Sequence, residues 1–213
     1  MADRLRQHVM ESLRKKYHRK GMDFSRVQAS GISQILSKGQ QYSASSDLRR
    51  LVFTDIWNFE GGRKYLDATC LMYNGKGQLC FTVDYRSRWA KGVQHSGDVM
   101  HGTRGTHTIH MDLQELDSQI TQCFFVILVY AQATLADILS PSISFSDADS
   151  PHAPPLCVYD LDAHDKVSYL TSVIMCKLHQ TKEGKWHVQV ICDAHGGAAD
   201  NYGPIHKAAK KLL

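Results

Sequence analysis

From Leu48 onward, the hydrophobic positions recur with the period of strands. "LRRLVFTDIW", "KYLDATCLMY", "GQLCFTVDY", "HTIHMDL", "CFFVILVYA", "SISFS", "LCVYDL", "SVIMCKLHQ" and "KWHVQVICDA" are short, rich in β-branched and aromatic residues, and divided by turns. About nine strands with no long helix between them predict an all-β, two-sheet β-sandwich over residues 46–205. "CFFVILVYA", Cys123 to Ala131, is apolar at both parities and suits a buried strand. "YNGKGQ" predicts a hairpin, with Asn74-Gly75 supplying the positive φ angles of a tight turn. "QTKEGKW" predicts a second, with Gly184 as its permissive residue, and the three prolines of "DADSPHAPP" predict a loop.

The first 45 residues follow a different rule. Leu5, Val9, Leu13 and Tyr17 recur every four residues, which predicts an amphipathic helix ending near Gly21. Arg4, Arg6, Arg14, Lys15, Lys16, Arg19 and Lys20 fill its polar face. A second, weaker helix is expected over 25–38, stopped at Lys38-Gly39, with "GQQYSASS" as a linker. Residues 1–45 therefore form a basic helical arm and linker, and "HKAAKKLL", 206–213, a short basic tail.

Charge separates the arm from the rest. Residues 1–26 hold eight Lys/Arg against Asp3, Glu11 and Asp23, a net of +5, while the whole chain is +4. The remainder is therefore −1, a near-neutral domain behind a basic arm. The arm predicts docking on a protein partner or on a second copy. Nucleic acid or an anionic membrane are the other partners open to residues 1–26, through phosphate contacts or surface adsorption. No apolar run approaches the roughly 20 residues that cross a bilayer, and the N-terminus has no continuous apolar segment of the secretory kind. A cytoplasmic protein is expected. The six cysteines show no C-x-x-C pair and mostly sit in strand-like stretches, as buried free thiols do. There is no G-x-S-x-G, P-loop or H-E-x-x-H motif. A non-enzymatic chain with no small-molecule substrate is expected.

"VQHSGDVMHGTRGTHTIHMDL", residues 93–113, holds His95, His101, His107 and His110. A zinc site needs three or four donors at about 2.0–2.1 Å from one ion. Ile109, Met111 and Leu113 set the inward parity of this strand. His107 shares it and His110 does not, so alternation keeps those two apart. "DADSPHAPP" and "DLDAHDKVSYLT" begin like EF-hand loops. However, His152 and Asp165 stand where the glycine is needed, and Val158 and Thr171 where the terminal Glu is needed.

Several stretches, in order over residues 48–203, resemble the TerD domain of bacterial tellurium-resistance and stress-response proteins. "YLDATCLMYNGKGQL" is similar to its D-L-D-A-S-x-x-L-L-x-x-x-G-K-V, and "VQHSGD" to its V-x-H-S-G-D-N. "MDLQELDSQITQCFFVILVYAQA" resembles its V-D-L-x-x-L-P-x-x-V-x-x-I-x-F-V-V-T-I-x-D-A. "ILSPSISFSD", "VYDLD", "SVIMCKLHQTKEGKWHVQVICDAHGG" and "NYG" match later motifs.

The resemblance implies a two-sheet sandwich that binds calcium in acidic loops and works as a binding or scaffolding module. Of the implied calcium ligands, Asp67 and Asp98 remain. Asn58 stands where a G-W-D aspartate would be, Tyr65 replaces the first Asp of D-L-D, and "HGTRGTHT" replaces the acidic run. The expectation is therefore an interaction or scaffold module with a degenerate calcium site and no other cofactor. A calcium-dependent stress protein and an assembly subunit tethered by its arm are the alternatives.

Overall fold

The computed structural model describes residues 34–35, 39–43, 48–58, 65–97, 99–101, 104–130, 134–135, 139–149, 157–160 and 170–213. The residues expected to form a basic helical arm, including Arg4, Arg6, Arg14, Lys15, Lys16, Arg19 and Lys20, lie outside them, as does Asp98.

Two sheets pack face to face. The strands are β1 (Gln34–Ile35), β2 (Gln41–Ser43), β3 (Arg50–Asn58), β4 (Leu66–Asn74), β5 (Leu79–Val83), β6 (Trp89–Ala90), β7 (Val93–His95), β8 (Val99–His101), β9 (Arg104–Asp112), β10 (Ile120–Val129), β11 (Leu139–Asp147), β12 (Cys157–Asp160), β13 (Ser172–Gln180) and β14 (Trp186–His195). The first sheet runs β1-β12-β11-β3-β9-β7-β6, with β8 also paired to β9. The second runs β2-β14-β13-β10-β4-β5. Among the described strands, only β1 with β12 is a parallel pair.

The inward parity of each long strand builds the core between the sheets. Leu51, Phe53 and Trp57 of β3 face Cys123, Phe125 and Ile127 of β10 in that core. Phe53 stacks on Phe125 at 4.5 Å between ring centres, and Phe145 of β11 meets Phe53 edge-on at 5.1 Å. Aromatic pairs of these geometries add about 0.5–1.5 kcal/mol beyond their burial.

The other parity of β10 is apolar for a separate reason. Phe124, Val126 and Leu128 join Leu71, Tyr73 and Ile174 on the outer face of the second sheet. There they meet Ile205, Ala208 and Ala209 of helix α1, Gly203–Ala209. Pro204 suits the first turn, where a missing N–H costs nothing, and His206 and Lys207 suit the last. Lys177 donates to the Leu212 carbonyl at 2.8 Å, and Tyr202 donates to Asp84 at 2.9 Å, so the segment is pinned on both sides of the helix. Burial pushes the Tyr202 phenol well above its ordinary pKa.

Several local expectations are corrected. Gln34–Ile35 and Gln41–Ser43 are edge strands, where the sequence predicts the end of a helix and a linker. Pairing with β12 and β14 outweighs the local propensity. Within the histidine-rich stretch, β7 and β8 also pair with β9 in succession. Strands of three residues are too short to show a period. The 74–78 hairpin forms, but Gly77 takes the positive φ of +71°, not Asn74-Gly75. The Asn74 side chain instead accepts from the Lys76 and Gln78 amides. The "QTKEGKW" hairpin forms as expected, with Gly184 at φ +77°. Cys70, Cys123 and Cys176 are buried thiols, the role read from sequence, whereas Cys80 and Cys192 are only half-buried.

Candidate functional site

Residues of both sheets converge at the end of the sandwich where β7 turns into β8. β3 and β9 are antiparallel neighbours, and their register sets Asp55 opposite His107 and Trp57 opposite Gly105. Leu51, Phe53, Asp55 and Trp57 share the core-facing parity of β3, and His107 shares that of Ile109 and Met111 on β9. His95 ends β7 in register with Ile109, two positions from His107. Asp67, near the start of β4, belongs to the other sheet, where β4 and β9 approach across the sandwich.

The result is a buried cluster of two carboxylates and two imidazoles. Asp55, Asp67, His95 and His107 are all at most 4% exposed. One ligand atom from each of Asp67, His95 and His107 lies within 4.8 Å of the other two. The His107 Nδ1 lies 3.3 Å from Asp55 Oδ2, and the His95 and His107 ring centres are 5.2 Å apart. The Gly97 N–H donates to His95 Nδ1 at 2.8 Å. An Nδ1 that accepts carries no proton, so His95 is here the neutral ring with its hydrogen on Nε2.

Local sequence holds these groups still. The Ser96 amide donates to the Thr108 carbonyl at 2.8 Å, and the Thr108 amide donates back to Ser96 Oγ at 3.0 Å, which locks the β7–β8 turn to β9. Gly97 has φ +76°, and a Cβ there would lie 2.7 Å from the Arg88 guanidinium. Trp57 stacks on His107 at 4.8 Å. A Cβ on Gly105 would lie 2.0 Å from the Trp57 ring, so this glycine is required by close approach rather than by backbone angle. Gly105 is therefore a packing residue, whereas Gly97 is set by its left-handed backbone angle.

Of the residues singled out from sequence, Asp67 enters the cluster. Asn58 closes β3 in register with Arg104. His107 and His110 do face opposite ways, since His107 is fully buried and His110 is exposed. Alternation separates that pair, but it does not exclude a histidine site, because His95 is the residue that meets His107. Asp55 was not a candidate in the sequence. Its signal is an acid at the inward parity of "LVFTDIW", where every other inward side chain is a large hydrophobe.

Calcium takes six to eight oxygens. Among the described residues this cluster offers the Asp67 carboxylate, two imidazoles and an Asp55 carboxylate already engaged with His107. These donors do not fit calcium.

A family model described as the TerD domain matches residues 32–199. Among solved structures, the fold is similar to that of SAV2460, a protein of unknown function, with a TM-score of 0.63 and 14% identity over 74% of this chain and 96% of that one. It is also similar to SCO6318 from Streptomyces coelicolor A3(2), a homologue of the telluride resistance protein TerD, with a TM-score of 0.59 and 12% identity over the same shares. No curated protein matches the chain. Among the described residues, no helix is long and apolar enough to cross a membrane.

Proposed function

The chain belongs to the TerD domain family, and on that premise we propose that it is a non-enzymatic interaction module that does not use calcium. It acts as a scaffold or assembly subunit in a stress-related complex, with proteins or further copies of itself as partners. Its basic arm, residues 1–26 with a net charge of +5, serves the same docking.

One observation supports this reading above others. The acids and imidazoles gathered at the end of the sandwich are at most 4% exposed. A general acid or base must come within about 3 Å of the proton it transfers. Side chains this deeply buried do not meet a dissolved substrate in this arrangement.

Calcium titration tests the reading. Calorimetry on the full chain should show no binding heat at micromolar calcium, and the melting temperature should not move. A ligand present at 100 times its Kd stabilises a fold by about 2.7 kcal/mol. For a chain of this size that is a rise of roughly 5–10 °C. Binding heat at micromolar calcium, with a shift of that size once calcium exceeds the Kd about 100-fold, would show a working calcium site, and the calcium-dependent alternative would replace this one.

A further inference from the structure

We propose that Asp67, His95 and His107 form a binding site for a divalent transition metal of the zinc class, with Asp55 as the carboxylate that orients His107. The proposal concerns the ion only and does not depend on which partners the module holds.

Distance is the first argument. Zinc bonds of 2.0–2.1 Å in a tetrahedron place neighbouring ligand atoms about 3.4 Å apart. The three candidate atoms are already within 4.8 Å of one another and come from three different strands. Closing the difference takes movements of about 1 Å, within reach of small χ rotations at this bond length. Donor type is the second argument. Two imidazoles with one carboxylate suit zinc and its first-row neighbours, whereas calcium and magnesium select oxygen.

The surroundings supply the third argument. Metal-bound histidines usually donate their second ring N–H to a carboxylate, which fixes the tautomer and the ring plane. The Asp55 Oδ2, 3.3 Å from His107 Nδ1, does this for His107 and leaves Nε2 as the donor to the ion. The Asp55 Oδ1 is buried with no hydrogen-bond partner among the described residues. Trp57 holds the other face of the His107 ring. A divalent ion also matches the charge of the two carboxylates, which a low-dielectric interior otherwise penalises.

His95 makes the site conditional. A neutral imidazole has one lone pair, and that of His95 now receives the Gly97 N–H. An ion at Nε2 requires the ring proton to move to Nδ1, and an ion at Nδ1 takes its lone pair, so either way the Gly97 N–H loses its acceptor. Uptake therefore rearranges the Ser96–Gly97 turn. Three protein donors leave a tetrahedral ion one ligand short, with water the simplest fourth. Burial of all three means that the ion is acquired as the chain folds and exchanges slowly afterwards.

The full chain, refolded in the presence of Zn2+ or Co2+ and freed of excess ion, tests this. Elemental analysis should find about one zinc per chain that a chelator removes only after denaturation. The Co2+ form should show the visible bands of a tetrahedral site, and the Gly97 amide resonance should move on loading. His107→Gln and His95→Gln should each abolish stoichiometric retention. Asp55→Asn should weaken it by 10–100-fold while keeping the Co2+ spectrum. His110→Gln, on the opposite face, should change nothing. If the buried variants fail to fold, the wild-type spectrum and the Gly97 shift still decide. A wild-type chain that retains no zinc, or that keeps it after both histidine substitutions, overturns the proposal.

Discussion

Gly105→Ala is the most exacting test of how the cluster is walled. A Cβ at this position would lie 2.0, 2.3 and 2.5 Å from three atoms of the Trp57 ring. Carbon atoms in ordinary contact sit about 3.5–4.0 Å apart, so the ring or the strand must retreat by about 1.5 Å. Neither has room. Trp57 is fully buried and stacked on His107, and Gly105 lies mid-ladder between β3 and β8. Overpacking of this kind costs about 1–3 kcal/mol, and a 2.0 Å clash belongs at the upper end. Alanine recovers about 0.5–1 kcal/mol over glycine within a strand.

The net expectation is a loss of about 2 kcal/mol, or a melting temperature lower by about 4–8 °C for a chain of this length. Urea and thermal melts of the single variant measure it, and a double-mutant cycle with Trp57→Leu isolates the contact. With the indole gone, Gly105→Ala should be neutral or mildly stabilising, giving a coupling of about 2–3 kcal/mol. A single variant within about 0.5 kcal/mol of wild type, or a coupling near zero, would show that Trp57 does not wall the site as described.

Two further outcomes follow from the second sheet. Ile205→Ala opens the buried contact between α1 and Phe124, Val126 and Leu128, and should destabilise by about 2–5 kcal/mol in a urea melt; a loss under about 1 kcal/mol would mean that the helix is only loosely seated. His179 and His206 have pKa values held below the imidazole norm. Burial is the main cause for both, followed by the charges of Lys177 and His187 at His179 and of Lys210 at His206. The unfolded chain therefore binds more protons than the folded chain on acidification. The stability they contribute is present above about pH 6.5 and is lost as pH falls through their lowered values. Melts from pH 7.5 to 5 should show this slope, and His179→Gln with His206→Gln should flatten it; an unchanged slope in the double variant would place its origin elsewhere.

Much of this architecture is legible in the chain because long strands declare their own faces. The inward set Ile109 and Met111 is readable from "HTIHMDL", and so is the separation of His107 from His110. The "CFFVILVYA" run marks β10 as buried, though not that α1 covers its second face, since a seven-residue helix leaves little periodic trace. What sequence conceals is pairing across the sandwich. His95 and His107 are 12 positions apart on neighbouring strands, and Asp67 comes from the other sheet, so no local spacing joins them. Asp55 could have been found, as an acid among Leu51, Phe53 and Trp57. Gly105 answers to the Trp57 ring on the facing strand, a contact that no local spacing reveals.

Anomalous diffraction at the zinc absorption edge, from crystals of the zinc-refolded chain, locates the ion directly. One peak is expected between Asp67, His95 and His107, with bonds of about 2.0–2.2 Å and Asp55 still on the far nitrogen of His107. No peak in that cluster, or zinc held only at surface histidines, would contradict it.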